Sequence, residues 1–290
     1  AYDLGYVAPL LAGRLRAAWA EHGSAAADDA RGLLGPVVSA LASGGALELL
    51  LLALACDDEA LRACAHECLA VVAAIVGLWG DAAEEQADER RARFPFRELP
   101  FLARLLQHAR DAIEPPASEG GVPAALPRLV AAFLSACLPV LFQPSHTLYV
   151  QVGAALCGRA AADVGDVPLF YKLLLSGQAE SHEARVWIFR VIRRALVGHA
   201  APLGAPQAGR LLRVALARRY ALQWLLSFAG SHELGSFALW SDATSCLAAA
   251  LTEHAAGTPT GLGVAEWVAG QVERRWPGGS GPLHRTQALH

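Results

Sequence analysis

The sequence predicts an all-α protein, and three observations support that prediction. Hydrophobic residues make up 54% of the 290 residues, and many of them are Ala and Leu, which are strong helix formers. Apolar residues recur with a helical period along most of residues 4–276. Alternating runs of Val, Ile, Thr and Tyr, which would indicate strands, are scarce. A chain of this length can bury a large core as one elongated domain or two compact ones.

The N-terminal part predicts five helices, and their ends are marked by capping and breaking residues. They cover residues 4–21, 33–55, 57–78, 81–94 and 96–113. Asp57 or Asp58 can cap the third helix, and Gly80 is expected to end it. The fourth is a charged run whose acids precede its arginines, as the helix dipole favours for a solvated helix.

A Pro-, Gly- and Ser-rich segment at residues 114–126 is the clearest break and predicts a hinge. Pro127 is expected to start the next helix, and Pro139 to end or kink it. Further helices are predicted at residues 145–156, 167–176, 181–197, 206–217, 220–229, 234–254 and 264–276. The tail, residues 277–290, has no apolar period and is expected to be disordered. The predicted domains are therefore an N-terminal helical array over residues 1–113 and a C-terminal helical domain over residues 127–276.

About a dozen helices with mostly short connections favour an armadillo- or HEAT-like solenoid of stacked helix pairs. The sequence shows no clean repeat at a fixed period, so the solenoid prediction rests on the rhythm of the helices. A compact helical bundle is the alternative.

The cysteines lie in apolar helical patterns, which predicts reduced intracellular thiols and not a disulfide framework. Cys64 and Cys68 are four residues apart and share a helix face, whereas His66 points away. A structural zinc site needs about four ligands. We therefore expect two small apolar core residues and no metal or other cofactor.

No catalytic motif is visible, so the chain is predicted not to be an enzyme and to take no small-molecule substrate. The His-Glu pairs after Ser181 and Ser231 do not continue as His-Glu-x-x-His, and both serines are better placed as helix caps. No Gly-x-Ser-x-Gly elbow or phosphate-binding glycine loop appears. The apolar run 47–55 is too short to span a bilayer, and no secretory signal is visible. An intracellular protein with no membrane segment is expected.

Positive charge is concentrated in residues 166–228. This segment has nine basic residues against three acidic ones, a local net charge of +6 in a chain of net charge −3. Residues 48–98 hold eleven acids and five arginines. Such polarity suits a surface for an anionic partner, although a solvated helix face is the commoner cause of such charge, and charge alone does not separate the two. The candidate binding residues are Lys172, Arg185, Arg190, Arg193, Arg194, Arg210, Arg213, Arg218 and Arg219.

The helix predicted at residues 181–197 combines core and charged faces. On a helical wheel Trp187, Ile188, Val191, Ile192, Ala195 and Leu196 share one side. The arginines at 185, 190, 193 and 194 spread over the other side, while Val186 and Phe189 break the pattern. Trp187 is therefore predicted to be mainly a core anchor and not a platform for base stacking.

The C-terminal half contains several short elements in a fixed order. They are Pro144, His146 and Tyr149, then Asp166, Pro168, Leu169 and Phe170, then Trp187 and Ile188, and finally Arg218, Arg219, Leu225, Leu226, Ser227 and Phe228. In this order they resemble the C-terminal domain of the nucleolar pre-ribosomal-associated protein family, the Urb/Npa scaffolds. The similarity covers residues 127–251, and residues 1–120 carry no motif that matches. The loop at 199–209 is richer in Pro, Ala and Gly than the family pattern leads us to expect.

This resemblance implies the C-terminal part of a very large α-helical scaffold. Such scaffolds act in the nucleolus on early precursors of the large ribosomal subunit, so the implied partners are pre-ribosomal RNA and other assembly factors. The arginine-bearing surface would then meet RNA or a protein partner. The alternative is an armadillo-type protein–protein adaptor unrelated to ribosome assembly.

Overall fold

The computed structural model describes residues 4–22, 27–85, 98–113, 124–158 and 181–197, which form helices and no strand. The helices are α1 (Leu4–His22), α2 (Ala27–Ser43), α3 (Ala46–Ala53), α4 (Glu59–Glu85), α5 (Leu99–Asp111), α6 (Arg128–Leu141), α7 (Tyr149–Cys157) and α8 (Ser181–Val197). For the described residues the all-α prediction is confirmed. The chain divides into two compact units, Ala1–Leu169 and Phe170–His290. Helices α1–α7 belong to the first unit and α8 to the second.

Helix α1 packs closely against α4 through small side chains. Ala8 and Ala12 are buried in this contact, and the Sγ of buried Cys68 lies 3.9 Å from the carbonyl oxygen of Ala8. At the edge of the helix pair, the exposed side chains of Arg16 and Glu67 form an ion pair of 3.3 Å. Because exposed ion pairs contribute little to stability, the contact depends mainly on the buried small residues.

The helix predicted over residues 33–55 is wrong as a single element, because the chain bends by 77° between α2 and α3. Gly45 adopts φ 74°, in the left-handed region that glycine reaches without a Cβ clash. The preceding Gly44 donates its N–H to the carbonyl of Ala40 at 2.9 Å, which closes the last turn of α2. The two glycines therefore end one helix and start another inside a continuous apolar pattern.

Helix α4 starts as predicted and ends later than predicted. Asp58 Oδ1 accepts hydrogen bonds from the backbone N–H groups of Ala60 at 2.9 Å and Leu61 at 3.1 Å, which confirms Asp58 as the cap. The prediction that Gly80 ends the helix is wrong, since α4 continues to Glu85. A glycine within a helix costs only about 0.5–1 kcal/mol relative to alanine, which a 27-residue helix can tolerate. The remainder of the predicted charged helix, residues 86–94, lies outside the described residues.

Helix α6 is buried on nearly all sides, and α3, α5 and α7 pack around it. Of its fourteen residues only Arg128 and Pro139 are not buried. Pro127 precedes the helix as its N-cap residue, as predicted. The helix continues through Pro139 and ends two residues later, at Leu141.

The segment that leads into α6 is tied to the connection between α3 and α4. Leu126 donates its backbone N–H to the carbonyl of Leu54 at 2.9 Å, and Arg128 Nη2 lies 3.1 Å from Asp57 Oδ2. Helices α3 and α6, on either side of the predicted hinge at residues 114–126, consequently contact each other within the first unit. The division into domains at that hinge stays a prediction.

His108 joins α5 to the C-terminal end of α7. Its side chain is only 3% exposed, and its Nε2 lies 2.8 Å from the carbonyl oxygen of Leu156. Because a carbonyl only accepts, Nε2 must carry the proton. The last carbonyls of a helix have no partner inside the helix, so His108 supplies a donor from a neighbouring helix.

One described helix contains a stretch, Glu59–Gly77 in α4, that is long and apolar enough to cross a membrane. In the structure 39% of this stretch is buried, and the core helix of a soluble protein meets the same criteria. The expected absence of a membrane segment stays a prediction. The helices predicted at residues 167–176 and beyond residue 205 and the disordered tail lie outside the described residues.

Candidate functional site

The candidate binding residues that the structure describes all belong to α8. They are Arg185, Arg190, Arg193 and Arg194. The other five, Lys172, Arg210, Arg213, Arg218 and Arg219, lie outside the described residues. Helix α8 has the bounds that the sequence predicts, with Glu183 in the first turn and Arg194 in the last, as the helix dipole favours.

One side of α8 is fully buried. The buried residues are Ala184, Ile188, Phe189, Val191, Ile192 and Ala195. Their β-branched and aromatic side chains fix the orientation of the helix, because turning it would expose the buried apolar surface. The remaining residues are thereby held in a defined arrangement on the other side.

Two of the four arginines are exposed on that other side, namely Arg190 and Arg193, and Arg194 next to them is half-buried. Residues three or four apart on a helix are surface neighbours, so Arg190 adjoins both of the others. Glu183 is an exposed carboxylate on this side, in the first turn of the helix. The predicted role of these arginines in binding stays a prediction.

Arg185 does not belong to this group, and the prediction that it shares their face needs correction. Its side chain is half-buried. Spacings of four and seven residues place it on the same face as Phe189 and Ile192, both of which are 0% exposed. The helical wheel predicts an apolar half and a charged half of α8. In the structure the buried side is wider, because it extends past the position of Arg185 to Phe189.

The aromatic residue in the core is Phe189 and not Trp187, which corrects the predicted core anchor. Phe189 is completely buried, while Trp187 is only half-buried. Trp187 lies at the edge of the buried side, three residues before Arg190 and seven before Arg194, so it borders the arginines. We call Trp187, Arg190, Arg193 and Arg194 the α8 basic face. In the sequence, the α8 basic face is indicated by the spacings of three and seven residues from Trp187 to Arg190 and Arg194.

The first element of the family resemblance, which comprises Pro144, His146 and Tyr149, forms a turn before α7. The N–H of His146 donates to Gln143 O at 2.8 Å, and the N–H of Tyr149 donates to His146 O at 3.0 Å. The Nδ1 of His146 accepts from the N–H of Leu148 at 3.1 Å, so this nitrogen is unprotonated. Because this turn occupies residues 144–148, α7 starts four residues later than predicted. In this element the histidine has a structural role.

Tyr149 anchors the start of α7 on α5. Its ring meets that of Phe101 edge to face, with centroids 5.9 Å apart and an interplanar angle of 80°. This geometry is favourable because the positive edge of one ring faces the negative face of the other. One turn along α7, Gly153 leaves room for the same ring, since a Cβ there would lie 3.1 Å from Phe101 Cε1. Tyr149, the last residue of this element, therefore also has a packing role.

The described cysteines are free thiols, and two of them are buried, namely Cys68 and Cys137. Burial raises the pKa of Cys68 to about 11, and the neighbouring Cys64 adds to the shift. Burial alone raises the pKa of Cys137. Within the described residues no group of three or more His, Cys, Asp or Glu side chains is placed to hold a metal ion. The absence of a cofactor stays a prediction for the whole chain.

Comparison with protein families matches residues 47–236 to the model of nucleolar pre-ribosomal-associated protein 1. The matched segment covers 190 of the 290 residues and runs from α3 through α8. It begins well before residue 127, where the similarity recognised in the sequence begins, so the part of the match formed by α3–α5 was not predicted from the sequence. No curated protein and no solved structure matches the chain.

Proposed function

Since the chain belongs to the nucleolar pre-ribosomal-associated protein 1 family, we propose that it is a non-catalytic helical scaffold in nucleolar assembly of the large ribosomal subunit. The family match over residues 47–236 is the observation that carries this proposal. The proposed location is the nucleolus, and the proposed partners are pre-ribosomal RNA and other assembly factors. We further propose that the chain is the C-terminal part of an Urb/Npa scaffold.

The described helices support an architecture of stacked helix pairs. Helix α3 packs on α6, and α5 and α7 also pack on α6, with short connections before α4 and α7. Repeated packing of neighbouring helices is what builds a solenoid, and elongated solenoids offer extended surfaces for partners. We therefore propose an armadillo- or HEAT-like arrangement for the whole chain.

The element with Pro144, His146 and Tyr149 forms a turn and a ring contact inside the first unit. A role in holding the fold is what a scaffold requires of such an element, because it needs a rigid surface and no reacting group. Charged surface residues would then provide the contacts with partners. The α8 basic face and the predicted arginines at 210, 213, 218 and 219 are the proposed contact residues for RNA or an acidic protein surface.

The experiment is affinity purification of the tagged chain from nucleolar extract, followed by hybridisation with probes for the precursors of both ribosomal subunits. We expect enrichment of early large-subunit precursors over small-subunit precursors, together with large-subunit assembly factors. A catalytically inert helical protein of similar mass, carrying the same tag and directed to the nucleolus, is the control. Equal recovery of both precursor classes, or recovery of proteins without pre-ribosomal RNA, would contradict the proposal and favour a general protein–protein adaptor.

A further inference from the structure

The α8 basic face places an aromatic ring beside a line of arginines. Trp187 is half-buried and therefore not fully enclosed, and Arg190 next to it is exposed. At a rise of about 1.5 Å per residue, Arg190 and Arg194 lie about 4.5 and 10.5 Å from Trp187 along the helix axis. Spacings of three and seven residues place all three side chains on one strip of the helix.

The fixed orientation of α8 makes this strip a preformed surface. The buried residues Ile188, Val191 and Ile192 are each 0% exposed, and they hold the opposite side of the helix in place. The helix backbone that carries the strip therefore does not have to be ordered when a partner arrives, although the exposed arginine side chains do. Preorganisation of this kind lowers the entropic cost of binding.

The charge of the strip favours an anionic partner. The three arginines of the α8 basic face stand against one exposed acid on the described helix, Glu183. Guanidinium groups are planar forks that match phosphate oxygens. An acidic peptide would also satisfy the arginines, but it offers a flat group to the neighbouring indole ring only where its sequence includes an aromatic residue.

Bases of a single strand supply that flat group. Stacking of a base on an aromatic side chain tolerates any sequence, because every base has a π face. Bases within a duplex are already stacked on each other and are not offered to a side chain. We propose that the α8 basic face binds single-stranded RNA, with a base stacked on Trp187 and phosphates held by Arg190, Arg193 and Arg194. This inference deepens the proposed function and rests on it.

The test uses the whole chain and compares three ligands, whose bases are unpaired, absent or paired in a duplex. Labelled oligouridylate of about 12 nucleotides, an abasic oligonucleotide of equal length and a duplex of equal length are titrated with the protein, with binding followed by fluorescence anisotropy. We expect the oligouridylate to bind about tenfold more tightly than the abasic strand, since stacking of one base contributes that much. Equal affinity for the two strands would overturn the inference without any change to the protein.

Variants assign the effect to Trp187. Trp187→Leu keeps an apolar side chain but removes the ring, so we expect it to lose the tenfold preference, whereas Trp187→Phe keeps part of it. Helix content measured by circular dichroism shows whether each variant folds. If Trp187→Leu does not fold, the inference is tested by Trp187→Phe and by the comparison with the abasic strand. A folded Trp187→Leu that retains the full preference overturns the inference.

The inference and the proposed function can fail separately. If polyglutamate competes better than oligouridylate, the strip is a protein-binding surface, and the RNA inference falls while co-purification with large-subunit precursors can still hold. If oligouridylate binds through Trp187 but the tagged chain recovers no pre-ribosomal RNA, the proposed function falls instead.

Discussion

At the scale of single residues, two glycines within helices have opposite surroundings. A Cβ on Gly13 of α1 would have nothing within 4 Å, whereas one on Gly153 of α7 would meet Phe101 Cε1 at 3.1 Å. We expect Gly13→Ala to raise the free energy of unfolding by about 0.5–1 kcal/mol, the difference in helix propensity. Gly153→Ala should gain clearly less, or lose stability, because the Phe101 ring must move.

Urea unfolding followed by circular dichroism measures both variants. The two glycines are controls for each other, since the substitution is identical and only the surroundings differ. Equal gains at both positions would show that the contact between Phe101 and Tyr149 adapts at no cost, contrary to the close packing described for α5 and α7.

His108 offers a second test, because its imidazole donates to the carbonyl of Leu156 in a buried place. In His108→Leu that carbonyl loses its donor, so we expect the free energy of unfolding to fall by about 1–3 kcal/mol. His108→Gln retains an N–H donor and should lose less. Chemical unfolding measures the free energy of unfolding of both variants. An equal decrease in the two would mean that packing of the imidazole ring, and not its hydrogen bond, stabilises this contact.

Residue positions on α8 show how far the sequence can predict a site. The exposed Arg190 and Arg193 were predicted correctly from the helical wheel. Arg185 and Trp187 were not, because the width of a buried sector depends on how many neighbours surround the helix. That information belongs to tertiary packing and cannot be read from one helix.

At the scale of elements, the start of α4 depends on a single side chain. Asp58 Oδ1 accepts two backbone N–H groups of the first turn. We expect Asp58→Ala to lower the free energy of unfolding by about 0.5–2 kcal/mol, as loss of an N-cap does. Asp58→Asn is the matched control, since its amide oxygen can still accept, and thermal unfolding would compare the two. If both variants unfold with the wild type, the first turn of α4 needs no cap.

Helix ends differ in how well the sequence predicts them. Asp58 and Pro127 act through local chemistry, capping and a fixed φ, and both were predicted. Glycines are ambiguous, since Gly80 continues a helix while Gly45 adopts a positive φ and separates α2 from α3. Local sequence does not decide whether a glycine continues or ends a helix here. The bend at Gly45 is stabilised because it allows α3 to be buried against α6.

At the scale of the whole molecule, the family match includes both the buried helices α3–α7 and the basic segment. The match covers residues 47–236, in which α3–α7 contribute buried helices and a structural turn. The arginine-rich segment 166–228 lies inside the same match. In the proposed scaffold function, the buried helices maintain the fold and the basic segment contacts an anionic partner.

The contribution of the α8 arginines to RNA binding can be measured on the intact chain. We expect Arg190→Glu with Arg193→Glu to weaken binding of oligouridylate and to reduce the slope of log affinity against log salt by about 0.7 for each phosphate that is no longer neutralised. The helical spectrum should remain, because both side chains are exposed. Arg14→Glu on α1 changes another exposed arginine, outside α8, and is the control. If Arg14→Glu alone lowers the slope as much per arginine as the α8 variant does, the binding reflects overall charge and not the α8 basic face. If neither variant alters it, the arginines of α8 do not bind RNA phosphates.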